Sequence, residues 1–186
     1  QSREGKRISP QSAAGSNPLY AGVISGGQLL PIPQGGRLVG VFRSGDRGIN
    51  WASMGIPTDA DGGIHPGPQG NIHFSMAADP ASSNAVYAGG DRQPLSAAGG
   101  FPNAAGCNNY TGRIFRGVFT PGPPATAAWT SVACTNADPP DPDGAGPLAD
   151  PPLTSPHADS RFLAFDGSGN LLEADDGGIY RLVNPS

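Results

Sequence analysis

A motif that recurs at long intervals constrains this chain more than any other feature. Three segments share the order small or polar, apolar, aromatic, arginine: Gly40-Val41-Phe42-Arg43, Arg113-Ile114-Phe115-Arg116 and Gly178-Ile179-Tyr180-Arg181. Upstream of each lies a second recurring run: Leu19-Tyr20-Ala21-Gly22-Val23, Ala85-Val86-Tyr87-Ala88-Gly89 and Asn170-Leu171-Leu172-Glu173-Ala174. Before the last two comes a further run ending in Asp, at 74–79 and 162–166, each followed by a tight turn. After the first two aromatic-Arg segments a tryptophan returns, Trp51 and Trp129. Self-similarity at a fixed order of short runs marks a repeat architecture. Runs this short, bounded by Gly, Pro, Asn and Asp, read as strands.

The 29 glycines and 21 prolines among 186 residues would fit a disordered chain if the segments between them were polar. They are apolar, and no stretch has helical periodicity, so the predicted class is all-β. In order, the unit is a strand ending in Asp, a Tyr-Ala-Gly strand, an aromatic-Arg strand and a strand opened by Trp. A four-stranded antiparallel unit repeated in series is a β-propeller blade, and the chain holds about two and a half. The predicted division is an incomplete first blade over 1–54 with no evident first strand, and a complete blade over 71–133 with a long loop at 91–111. A Pro/Asp-rich loop follows at 134–156, and an incomplete third blade at 157–186 stops after its third strand. Closed propellers have 4–8 blades. The expectation is therefore a part of a longer propeller, or a ring completed by other copies of the chain.

Several classes are excluded. The formal net charge is −4 and charges are sparse, so no basic surface for nucleic acid is expected. The cluster Arg3, Lys6 and Arg7 reads as a solvated tail. No run approaches the ~20 apolar residues of a membrane span. The opening Gln1-Ser2-Arg3-Glu4-Gly5-Lys6 has no signal-like apolar segment and no initiator Met, so a mature, trimmed or partial chain is expected. Cys107 and Cys134 fit either one disulfide in an oxidising compartment or two thiols. There is no phosphate cradle and no Gly-x-Ser-x-Gly elbow, and no cofactor is expected.

The run 38–43 leads into Ser44-Gly45-Asp46-Arg47-Gly48-Ile49-Asn50-Trp51, which reads Ser-x-Asp-x-Gly-x-x-Trp. Asp46 can accept from turn N–H groups, Gly48 can take a positive φ, and Trp51 can open the return strand and cap a small apolar core. The octet resembles the Asp-box (BNR repeat) of sialidase-like secreted β-propellers. The stretches 73–80, 87–91 and 174–181 are similar to that group as well. The second box is degraded, with 117–128 replacing the turn before Trp129. The resemblance implies that Ser44, Asp46, Gly48 and Trp51 are structural, and that the protein is extracellular or periplasmic. It also implies a non-catalytic scaffold or binding module for glycan or protein ligands, with a glycoside hydrolase as the alternative. Sialidase chemistry is not expected, because its arginine triad and Tyr/Glu pair have no counterpart here.

In such a propeller the first strand lies innermost, so His157-Ala158-Asp159-Ser160-Arg161 would open at the channel mouth. Strand alternation would point His157, Asp159 and Arg161 to one side as a binding or proton-transfer group. The plainer reading is a network tying blades together, and His157 with Asp159 falls short of a metal site. A hydrolase would draw its two carboxylates from Asp159, Asp175, Asp176 and Glu173. Asp175 and Asp176 equally fit a hairpin turn. Asp138, Asp141 and Asp143 are candidate calcium ligands in a Pro-rich loop without EF-hand spacing. Trp51, Trp129, Phe42, Phe115 and Tyr180 recur at matching positions and read as blade core. His65 and His73 read as a loop and a strand-edge histidine.

Overall fold

The computed structural model describes residues 5–10 (backbone course only), 18–26, 35–107, 110–133 and 155–185. These hold thirteen strands and no helix. Sheet I is β1 (Gly5–Pro10), β2 (Leu19–Ile24), β3 (Leu38–Ser44) and β4 (Ala52–Gly55), paired in chain order. A two-stranded hairpin follows, β5 (Thr58–Asp59) with β6 (Gly62–Gly63). Sheet II is β7 (Ser75–Ala78), β8 (Ala85–Arg92), β9 (Gly112–Thr120) and β10 (Thr126–Ser131). Sheet III is β11 (Phe162–Phe165), β12 (Leu171–Ala174) and β13 (Ile179–Leu182). All pairings are antiparallel and none of the sheets closes on itself.

The sheets stack face to face, with sheet II in the middle. On β7 and β8, Met76, Ala78, Val86 and Ala88 turn toward sheet I, where they bury Tyr20, Ile24, Val41 and Met54. The alternate residues Ala77 and Tyr87 turn the other way and pack with Leu163 and Leu171 of sheet III. A strand covered on both faces has no polar side to show, which is why β7 and the first seven residues of β8 are buried without interruption. On β10, at the edge of the sheet, burial alternates. The first strands lie nearest one another, β7 touching both β1 and β11, while β4 meets β10.

The recurring Tyr and Arg face each other across strands. Tyr20 pairs with Arg43 and Tyr87 with Arg116. The Tyr20 hydroxyl and the Arg43 guanidinium both donate to the carbonyl of Ser83 in the β7–β8 turn, at 2.9 Å and 3.1–3.2 Å. One sheet further on, the Tyr87 hydroxyl donates to the carbonyl of Pro185, and Arg116 lies over the Tyr87 ring and reaches Asp79. The repeat thus encodes the joint between successive sheets. In sheet III the Tyr position is Leu172, opposite Arg181.

Several expectations are corrected. The first sheet has its first strand after all: β1 pairs along its whole length with β2. Its charged, Pro-terminated sequence hides a strand that pairing imposes, and Lys6 and Arg7 belong to it rather than to a solvated tail. Trp129 does not open its strand but sits within β10 opposite Gly117, whose hydrogen gives the indole its room. Trp51 does not cap the core; it is 37% exposed, with its indole N–H returned to the Gly48 carbonyl at 3.0 Å. The 91–111 insertion is partly strand, and its described remainder is an ordered loop. Buried Arg113 binds Asp59 at 2.6 Å, Gln93 at 2.7 Å and the Gly62 carbonyl at 2.8 Å, and Gln93 in turn accepts from Asn103.

Gly22 shows how tight the sheet I–sheet II contact is. A Cβ there would stand 2.4 Å from the buried Phe74 ring and 3.0 Å from the Met76 sulfur. Gly22→Val is expected to lower stability by about 1–3 kcal/mol through overpacking. Gly167→Ala, where no atom lies within 4 Å, is expected to change it by no more than about 0.5 kcal/mol. Urea denaturation of both variants checks the pair.

Candidate functional site

The turn from Ser44 to Trp51 is held by its own Ser and Asp side chains. Ser44 Oγ accepts from the Gly48 N–H at 2.8 Å and bonds Asp46 Oδ1 at 2.8 Å. Asp46 accepts from the Asn50 N–H and side-chain amide at 2.8 and 2.7 Å. These donors pull its carboxyl down to about 2. Arg47 and Gly48 both have positive φ, at 63° and 90°. The β11–β12 turn repeats the device unforeseen: Asp166 accepts from the Asn170 N–H and side chain, both at 2.9 Å, and its pKa is likewise lowered. The Asp-x-x-x-Asn spacing shared by the two turns was the signal for it. All of these carboxylate oxygens serve their own turns.

A different set of polar groups converges where sheets II and III meet. His73 precedes β7, Asp91 lies near the end of β8, and Asp159 precedes β11. One ligand atom from each lies within 4.8 Å of the other two. His73 Nδ1 is 3.0 Å from Asp159 Oδ1, but off hydrogen-bond geometry, so Nδ1 has no hydrogen-bond partner. Asp91 is fully buried. Its Oδ2 accepts from the backbone N–H groups of Gly67 at 2.9 Å and Gln69 at 3.4 Å, while Oδ1 has no partner. Burial pushes its carboxyl up to about 6. Behind the cluster, His65 Nε2 donates to the His73 carbonyl at 3.1 Å. Burial drives that imidazole down to about 4, so it is neutral at pH 7.

The expected grouping of His157, Asp159 and Arg161 does not form. Residues 157–161 precede β11 rather than belonging to it, and Asp159 takes φ +72°, which breaks strand alternation. The three side chains take different partners. His157 stacks on Tyr110 with centroids 5.9 Å apart, Asp159 turns in to His73, and Arg161 pairs with Asp176 at 2.7 Å. Asp175 accepts from the Gly177 and Gly178 N–H groups at 2.7 and 2.9 Å, as a hairpin-turn residue does. His73, a strand-edge residue by its sequence position, and Asp91, near the end of a strand, are the partners Asp159 finds. Only the adjacency of two sheets joins them. Asp138, Asp141 and Asp143 lie outside the described residues.

Next to the cluster, Ser160 Oγ bonds Ser75 Oγ at 2.6 Å, tying β7 to the segment that leads into β11. Glu173 is buried nearby, and burial, reinforced by Asp175, pushes its carboxyl up to about 9. Cys107 is buried and disulfide-bonded; the chain's other cysteine, Cys134, lies outside the described residues.

The pKa of Glu173 is raised in the fold, so its contribution to stability is complete below about 4.5 and is lost as pH rises toward 9. Asp91 acts in the same sense, but between 3.8 and about 6. His65 acts in the opposite sense, stability falling as pH drops from 6.5 to about 4. Between pH 6.5 and 9 Glu173 is the one of these three that titrates. Stability is expected to fall there by up to about 1.4 kcal/mol per pH unit. Glu173→Gln is expected to flatten the slope, as read from urea midpoints across that range.

No protein-family model, no curated protein and no solved structure matches the chain.

Proposed function

We propose that this chain is a segment of an Asp-box β-propeller that works outside the cytoplasm as a scaffold or binding module for glycan or protein ligands. The observation that carries the architecture is the outward face of sheet III. By strand alternation Leu163, Phe165, Leu171 and Leu182 face sheet II, while Phe162, Leu172 and Ile179 face away. Phe162 is 61% and Ile179 79% exposed. Leu172 and Arg181 occupy the positions that Tyr87 and Arg116 use in sheet II to join the next sheet. A bare apolar face at the joint position suits one more sheet of the same kind, from a longer propeller or from another copy. The disulfide at Cys107 supports an oxidising compartment.

A binding role fits the acids better than hydrolysis does. Asp176 is held by Arg161, Asp175 by turn N–H groups, and Asp159 sits against His73. The glycoside hydrolase alternative has one observation in its favour: Glu173, kept protonated at neutral pH beside Asp175, has the protonation state of a general acid. Both of its carboxyl oxygens are buried, which keeps a sugar from reaching them.

Light scattering on a sizing column is expected to show a discrete oligomer or aggregation, shifted toward monomer in Phe162→Lys/Ile179→Lys. A well-folded wild-type monomer would overturn the bare-joint reading. A panel of aryl glycosides is expected to show no turnover; turnover abolished by Glu173→Gln would favour the hydrolase instead.

A further inference from the structure

We propose that His73, Asp91 and Asp159 bind one divalent transition-metal ion of the zinc type, which fastens sheet III to sheet II. The inference stands on this cluster alone and holds whether or not the chain belongs to a propeller. Three donor atoms lie within 4.8 Å of one another. Ligands on a tetrahedral zinc sit about 2.0–2.2 Å from the ion and so about 3.4 Å apart. The cluster is thus near binding geometry, and a small rotation of Asp159, whose side chain is 23% exposed, would close it.

Two independent features point into the site. The buried Asp91 Oδ1 has no hydrogen-bond partner and the buried His73 Nδ1 has only its 3.0 Å ion-pair contact with Asp159, although buried polar atoms are normally paired. The Asp91 side chain and the His73 backbone are also held from behind. The Gly67 and Gln69 N–H groups fix Asp91 through its other oxygen, and His65 fixes the His73 carbonyl. Asp159 reaches the cluster through a backbone with φ +72°, a conformation that Asp adopts more readily than most non-glycine residues. Such outer partners commonly orient metal ligands.

The donor set selects the ion. One imidazole nitrogen with two carboxylate oxygens suits zinc or manganese, whereas calcium and magnesium prefer all-oxygen shells. A dication would also neutralise two carboxylates that otherwise face each other. Three protein ligands leave a fourth position for water, on the side where Asp159 is open to solvent.

The test uses the whole chain, stripped with EDTA, dialysed and titrated with ZnCl₂ by calorimetry, with thermal melting followed by circular dichroism. One ion per chain and a raised melting temperature are expected. Asp159→Asn, a change at a partly exposed side chain, is expected to keep the fold and to weaken binding at least about tenfold. CoCl₂ should give visible absorption bands that Asp159→Asn and His73→Ala remove. Absence of saturable binding at about 100 μM zinc, a concentration at which a site of physiological affinity would be filled, would overturn the proposal. So would full affinity retained in Asp159→Asn, which would place the ion elsewhere. An equal response to CaCl₂ would overturn the choice of ion class.

Discussion

The middle sheet must bury both of its faces, and the rest of the structure follows from that demand. Val86 and Ala88 on one side of β8 and Tyr87 on the other each need an apolar partner, so sheets I and III are drawn to opposite faces. Among the described residues, no strand of the flanking sheets shows the same continuous burial. The closeness of the contact is set by residues without bulk: Gly22 lets Phe74 in, and Gly117 lets Trp129 lie flat across its own sheet. The polar half of the joint is equally directional. Tyr20 and Arg43 converge on one carbonyl of the following sheet, which fixes rotation as well as distance.

This stacking brings the first strands β7 and β11 together, and polar chemistry collects along that line. Ser75 meets Ser160, and His73 and Asp91 meet Asp159. Glu173 is buried beside them in its neutral form. Polar groups buried between sheets are costly unless paired, protonated or bound to an ion. Here all three remedies bear on neighbouring residues: a serine pair, a carboxylic acid and, in the proposed metal site, a cation.

Much of the fold was legible because strands and turns are local. The runs around Tyr20, Phe42, Val86, Phe115, Phe165 and Leu172 carry their periodicity in a handful of residues, and the Ser44 to Trp51 turn carries its hydrogen bonds in eight. What was misread was non-local. β1 has little strand character of its own and exists because β2 pairs with it. Trp129 looked like a copy of Trp51, yet one packs across Gly117 and donates to Met54 of sheet I, while the other stays on its own turn. The loop after β8 looked formless, because the Arg113 network that orders it joins residues from β5 to Asn103.

The sequence by itself determined the all-β class, the recurring strand order and the Ser44 to Trp51 turn, since each depends on propensities and hydrogen bonds within a few residues. It also marked Asp159 as worth attention. Only the tertiary structure decided what Asp159 does. A positive φ turned it away from His157 and Arg161, and sheet packing set it against His73 and Asp91, residues 86 and 68 positions earlier in the chain. No spacing rule reports a meeting of that kind, because it is made by the burial of two sheet faces and not by any local pattern.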